Sequence, residues 1–176
     1  MNDEDLEGNF LLVPPKNTLP GVNAGTSDFI GVYSRITAER FQQLPSCTTE
    51  AAAEVANRPQ DFADWLRRQR EAITTAPAAV TVGGLHGLRV DLKPRSSAAI
   101  PKCTDDQTGE RLQYFPVLMG EGVSGLDHGL IPNITMRLYL LNYKGGTMAI
   151  EVDDIPAAPG TLSSLSAVAE KLRFTP

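Results

Sequence analysis

The chain has 176 residues, of which 41% are hydrophobic and 21% are charged. This composition is ordinary for a globular protein and excludes a collagen-like or wholly disordered chain, and the length suits one domain with a substantial core. The net charge of −5 at pH 7 would repel a nucleic-acid backbone, which is normally bound by clustered Lys and Arg. Nucleic acid is therefore not an expected partner.

The N-terminal region contains no long apolar segment. Residues 1–8 (MNDEDLEG) have the composition of a flexible tail or a cloning remnant, and residues 9–176 are expected to form one globular α+β domain. The run from Phe10 to Val13 is far shorter than the ~20 residues of a membrane span or the ~7–15 of a signal peptide's apolar region. We expect a cytosolic protein or one that has lost an export segment, without direct membrane insertion by this chain.

The first part of the chain is predicted to contain two strands and a short helix. Asn9–Val13 is followed by a proline pair, which suits an edge strand. Asp28–Ile36 is rich in β-branched and aromatic residues, with Gly31 as a possible bulge. After Cys47, a pair of threonines can cap an alanine-rich helix that continues through Ala56.

Residues 61–73 show a clearer helical pattern. Their apolar side chains recur at intervals of three, four and seven, while charged side chains cover the opposite face; the apolar set is Phe62, Trp65, Leu66 and Ile73. We interpret the two aromatic residues as core anchors and not as a ligand platform, because burying such rings stabilises a fold without any functional reason.

The stretch Val80–Pro94 (VTVGGLHGLRVDLKP) predicts two strands that meet at Gly83-Gly84. Apolar and polar residues alternate on both sides of this glycine pair, so each strand has one buried face. Four residues between the strands predict a hairpin with a loop and not a two-residue turn. Arg89 and Asp91 are interpreted as a surface pair without a chemical role. The glycines are not an anion cradle, since no helix follows them directly.

The second half is predicted to be mostly strand. Arg111–Met119 is a strand interrupted by a proline, and residues 133–152 form a hairpin with its turn at Lys144-Gly145-Gly146. Between them, Gly120–Pro132 contains four glycines and is the best candidate for a functional loop. Thr161 can cap a final helix. The predicted fold class is α+β, with an antiparallel sheet of about five to seven strands and two or three helices packed on it.

The chain has two cysteines and no CxxC motif. From their spacing alone, Cys47 and Cys103 could form one disulfide or be two unrelated buried thiols.

Several features follow one another in a set order along Asn9–Pro176. They are Cys47 before an amphipathic helix, the VTVGGLHG stretch with its following strand, Cys103, the strand pair with its turn at Lys144-Gly145-Gly146, and the closing helix ending in LRFTP. In this order the chain resembles a group of exported actinobacterial domains, found in lipoproteins or as ectodomains of membrane proteins, most of them of unknown function. The resemblance implies an extracytoplasmic location, a Cys47–Cys103 disulfide and an antiparallel sheet with helices, somewhat like the PsbP-like fold. The chain departs from the group in showing no signal peptide or membrane anchor.

No motif specifies a catalytic site. Gly122–Leu126 (GVSGL) misplaces the last glycine of the serine-hydrolase elbow G-x-S-x-G, and neither His86 nor His128 lies in a motif with a nucleophile. No phosphate-binding glycine loop is present. We therefore expect no catalytic residues and no cofactor.

Metal binding is not expected either. Ligation by Asp127-His128 with Asp105-Asp106 or Asp153-Asp154 would need three or four converging ligands, and no HxH, HExxH or calcium-loop spacing supports it. We interpret these residues as ordinary polar residues of surface loops.

Two hypotheses of function follow. The first is a non-catalytic extracytoplasmic domain that binds an unknown protein partner or small ligand at the cell envelope. It would bind through the sheet face or through the Gly120–Pro132 loop, where Ser124, Asp127 and His128 are the candidate binding residues. The second is a small enzyme that uses acidic residues and His128 on that loop.

Overall fold

The computed structural model describes residues 10–12, 28–120, 127–154 and 161–174. Within these ranges the chain forms thirteen β-strands and two α-helices. The strands are β1 Phe10–Leu12, β2 Phe29–Tyr33, β3 Ile36–Phe41, β4 Thr49–Ala51, β5 Ala72–Thr74, β6 Ala78–Val82, β7 Leu85–Pro94, β8 Lys102–Thr104, β9 Arg111–Gln113, β10 Phe115–Gly120, β11 Asp127–Leu130, β12 Thr135–Tyr143 and β13 Gly146–Asp154. The helices are α1 Pro59–Arg68 and α2 Thr161–Ala169. The predicted tail at residues 1–8 and the candidate Ser124 lie outside the described ranges.

The strands form one large and two smaller antiparallel sheets. The main sheet has the order β1-β2-β13-β12-β7, with β5 and β6 both paired to the outer side of β7. The small sheet has the order β11-β10-β3-β4, and β8 pairs with β9. The α+β prediction is therefore confirmed in its general form. The protein is richer in strand and poorer in helix than we expected.

Each face of the main sheet is covered by a hydrophobic core. Side chains alternate along β12, so that Met136, Leu138 and Leu140 pack on the side that carries α1 and the small sheet. Tyr139 and Leu141 face the opposite side, where α2 lies. A sheet that is covered on both faces has no solvated side, and so even its polar positions can be buried.

The predicted alanine-rich helix after Cys47 is wrong. Residues 49–51 form β4, which pairs antiparallel with β3, and Arg40 of β3 reaches Glu50 and Glu54 with its guanidinium group. Tertiary pairing has overridden the helical preference of alanine, as tertiary context commonly does. The disulfide lies just before this strand and joins Cys47 to Cys103 of β8, as the resemblance implied.

The helix predicted over residues 61–73 is confirmed in its first part. It begins at Pro59, a favourable first-turn residue, and ends at Arg68. Phe62 and Trp65 are buried core anchors, with their rings edge to face at 5.9 Å between centroids. Ile73 does not belong to the helix. It lies in β5 and is 40% exposed, so its helical spacing from Leu66 was a coincidence.

Both strands of the Val80–Pro94 prediction are present, but the connection differs. Val82 pairs with Leu85, which leaves a two-residue turn at Gly83 and Gly84 with φ of 56° and 85°. Both residues need positive φ, as in the type I′ hairpin turn. The expected four-residue loop was wrong because β7 begins at Leu85, directly after the glycine pair.

The polar pair on β7 also differs from its prediction. Asp91 binds Arg137 of β12 with two hydrogen bonds of 2.7 Å, and Arg89 lies 3.8 Å from Glu170. Arg137 also donates to Ser166 of α2. These side chains do not form a surface pair with each other; they connect the main sheet to α2.

The second half of the chain confirms the 133–152 hairpin and the final helix. Its turn residues Lys144 and Gly145 have φ of 46° and 80°. The Gly120–Pro132 region is not a loop throughout, because residues 127–130 form β11 beside β10. The expected bulge at Gly31 is absent as well, since this residue pairs in register with both Leu11 and Glu151.

Candidate functional site

His128 lies on β11, where the edge of the small sheet meets the main sheet. Its side chain is 16% exposed and packs against two aromatic rings of β2. The Phe29 ring is 5.7 Å away and edge-on, and the Tyr33 ring is tilted at 4.7 Å, measured between centroids. The predicted binding residue His128 is therefore a largely buried side chain at a junction of two sheets.

Two carboxylates of β13 face the same junction. Glu151 is fully buried and Asp153 is 4% exposed. Because side chains alternate along a strand, both lie on the face that carries Ala149, while Val152 between them packs on the α2 side. The short sequence Glu-Val-Asp thus places two acids side by side in the protein interior.

Gly31 makes room for a third polar group. It pairs with Glu151 across the β2–β13 ladder, and a Cβ atom at this position would lie 2.0 Å from the Tyr33 hydroxyl oxygen. The Tyr33 ring therefore lies over the glycine, with its hydroxyl group in the space that any other residue would fill. The glycine predicted as a bulge instead positions Tyr33.

His128 is held by Glu151. Its Nδ1 lies 2.8 Å from Glu151 Oε2, and the Tyr33 hydroxyl oxygen is 3.4 Å from the same nitrogen. The contact with Glu151 has the separation of an ion pair, although the geometry is not that of a hydrogen bond, since neither oxygen of Glu151 has a hydrogen-bond partner among the described residues. This contact sets the orientation of the ring, and Nε2 is the nitrogen that it leaves for other partners.

The electrostatics of the site favour protonated forms. Burial raises the pKa of Asp153 well above its ordinary range, and the negative charges of Glu151 and Asp28 raise it further. Burial likewise raises the pKa of Tyr33, with the charges of Glu151 and Asp153 adding to the effect. Like charges this close cannot both ionise without a large penalty. Asp153 therefore keeps its proton to higher pH than an exposed aspartate.

The sequence predictions recovered part of this site. His128 and Asp153 were both considered, the latter only as a member of a hypothetical metal site. Glu151 and Tyr33 were missed. Neither has a local signal in the sequence, because the burial of Glu151 depends on the core that covers this face of β13, and the placement of Tyr33 depends on the space at Gly31. Asp127 pairs through its backbone with Met119, and Ser124 lies outside the described residues.

The described ranges contain no group of three or more His, Cys, Asp or Glu side chains that could hold a metal ion. Asp105 and Asp106 instead make local hydrogen bonds. Asp105 accepts hydrogen bonds from the backbone of its own turn. Asp106 accepts from the hydroxyls of Ser46 and Thr48 beside the disulfide.

The other histidine lies in a different place. His86 shares a hydrogen bond of 2.8 Å with the Thr81 hydroxyl across the β6–β7 hairpin. It lines an open groove of about 490 Å³ together with residues from the start of α1 and from β7 and β12. The groove residues are Arg58, Pro59, Gln60, Asp61, His86, Gly87, Leu88 and Asn142. Only His128 of the two histidines has a carboxylate partner among the described residues.

Comparisons with protein-family models, with curated proteins and with solved structures find no match to this chain.

Proposed function

We propose that this chain is a non-catalytic extracytoplasmic domain that binds a protein partner or a small ligand at the cell envelope. The Cys47–Cys103 disulfide is the observation that carries the proposal. Disulfides form and persist in oxidising compartments and are rare where glutathione and thioredoxin keep thiols reduced. Within the described ranges, neither helix has the length and apolar character needed to cross a bilayer.

The β11 edge is the better of the two binding surfaces predicted from the sequence. α1 and the small sheet cover one face of the main sheet, and α2 packs on the other. β11 is one of the two edge strands of the small sheet within the described residues, with β4 at the other edge, and an edge strand offers backbone groups to an extended segment of a partner. His128 lies on this strand, and its largely buried side chain connects β11 to Glu151 of the main sheet.

The state of the two cysteines tests the location. Protein isolated from its natural host, alkylated without reductant, should show a mass with no added alkyl groups and two hydrogens fewer than the reduced chain, because both thiols are joined. Intact-mass spectrometry provides the measurement. The same sample reduced before alkylation is the control and should gain two alkyl groups. Two alkylated cysteines in the unreduced host sample would contradict the proposed location.

A second function is favoured by the contact between His128 and Glu151. A buried carboxylate that holds Nδ1 leaves Nε2 to exchange protons with a substrate, which is the arrangement of a general base. We propose it as the alternative, a small enzyme that uses His128 and its acidic partners.

This alternative predicts that His128→Ala lowers kcat about 100-fold or more, the usual contribution of a general base, in any hydrolytic activity found on a panel of ester, phosphoester and peptide substrates. His86→Ala is the matched control, since its ring bonds only a threonine hydroxyl among the described side chains, and should leave turnover unchanged. Unchanged turnover in His128→Ala would exclude the enzymatic function.

A further inference from the structure

We propose that Glu151, Asp153, Tyr33 and His128 form a proton-controlled clasp that holds β11 against the main sheet and releases it as the pH rises. The inference rests on the proposed function in one respect, namely that β11 is the binding surface. It adds that the pH outside the cell regulates how this surface is presented.

The junction between β11 and the main sheet buries titratable groups. Several titratable groups face the junction, and most of them are acidic. They are Asp28 and Tyr33 from the β2 segment, Glu151 and Asp153 from β13, and His128 from β11. Asp154 at the end of β13 alternates to the side of α2, where it interacts with the backbone of Leu162. Removing two neighbouring carboxylates from water is strongly unfavourable unless they are paired or neutralised. Within this group, only His128 can carry a positive charge.

The two acids, Glu151 and Asp153, have buried oxygens that lack hydrogen-bond donors in the described part of the chain. Among the described residues, no side chain or backbone group donates a hydrogen bond to either carboxylate oxygen of Glu151 or to Asp153 Oδ1. Two ionised carboxylates are both acceptors and can only repel each other. One proton retained on Asp153 turns that carboxyl group into a donor toward Glu151, as in other carboxyl pairs that share a proton. The buried pair is therefore stable with one negative charge and not with two.

β11 is the element that moves. β13 is paired on both sides, with β2 and with β12, and cannot leave without breaking the main sheet. β11 is paired on one side, with β10, and contacts the acids through His128. When the shared proton leaves, displacing β11 lets water reach the doubly charged pair with the smallest loss of strand pairing. A group whose pKa is raised on folding stabilises the closed state at low pH and loses that effect as the pH rises through its folded-state pKa.

Amide hydrogen exchange tests the clasp without any partner. Protection factors, corrected for the intrinsic rate at each pH, should fall for β11 by ~10-fold or more between about pH 5 and about pH 9, since each unit of pKa shift corresponds to a tenfold change in the opening equilibrium. The amides of β12 serve as the internal control and should keep their protection. A β11 protection factor that stays constant over this range would overturn the proposal.

Variants separate the shared proton from general effects of alkaline pH. In Asp153→Asn the amide donates to Glu151 permanently, so β11 protection should become independent of pH. Glu54→Gln, at an exposed carboxylate paired with Arg40, is the matched control and should keep the wild-type dependence. Glu151→Gln, which also removes one charge from the pair, provides the second variant if Asp153→Asn does not fold. A wild-type pH dependence in either clasp variant would overturn the inference. The cysteine measurement is independent, so this result and the proposed location can fail separately.

Discussion

Replacing both cysteines, as Cys47→Ala with Cys103→Ala, is expected to lower the free energy of unfolding by about 4 kcal/mol. The two residues are separated by 56 positions, and cross-linking them removes much of the conformational freedom of the unfolded chain. The enclosed segment contains α1 and the strands β4 to β7, so a large part of the fold is constrained. Urea denaturation followed by circular dichroism measures the change.

The native contacts around the disulfide should survive its removal. The backbone N–H of Cys47 donates to the Thr104 carbonyl, and the N–H of Thr104 donates to the Pro45 carbonyl. We therefore expect the variant to fold at low denaturant, with a lower midpoint and little change in the native spectrum. Wild-type protein with reductant is the control and should unfold at nearly the same midpoint as the variant. A loss below about 1 kcal/mol would show that the unfolded chain gains little freedom when the bond is absent.

The elements that the sequence predicted well are those with local signals. The 133–152 hairpin combines strict alternation with the turn sequence Lys144-Gly145-Gly146, and both signals lie within one short segment. The positive φ angles fall on Lys144 and Gly145. α1 was found because its apolar residues recur at helical spacing. Even here the end of the helix was misplaced, since Ile73 continues the helical spacing by chance.

The elements that failed depend on partners far away in the sequence. β4 exists because residues 49–51 pair with β3, and β11 exists because residues 127–130 pair with β10. Neither segment has a clear alternation of its own. Glycines near 120–132 indicate a loop, and alanines near 51–53 indicate a helix, so local preference favoured the wrong structure in both places.

The candidate site was also predicted only where a residue carries a local signal. His128 was found because a histidine in a glycine-rich segment is a chemical signal in itself. Glu151 was missed because a strand with Met148, Ile150 and Val152 on one face predicts a solvated opposite face, whereas this strand lies between two cores. Tyr33 was missed because its role depends on the missing side chain of Gly31, which only the register of β2 and β13 reveals.

Phe62→Ala is expected to lower the free energy of unfolding by about 3–5 kcal/mol, the usual cost of removing a buried phenylalanine ring. Phe62 is 1% exposed and lies in the core between α1 and the main sheet. Removing the ring leaves a cavity and deprives Trp65 of its edge-to-face neighbour. Chemical denaturation with tryptophan fluorescence measures the loss, since Trp65 is the single tryptophan of the chain.

The same variant decides between two roles for this aromatic pair. A ligand platform would be at least partly open to solvent, and truncating it would affect binding more than stability. Truncating a core anchor affects stability more than binding. Helix α1 has only 10 residues, and such a short helix depends on its buried face for most of its stability. Val168→Ala on α2, at a side chain 49% exposed, is the matched control and should cost well under 1 kcal/mol, as exposed substitutions usually do. A loss in Phe62→Ala no larger than in this control would contradict the anchor role and favour the ligand platform.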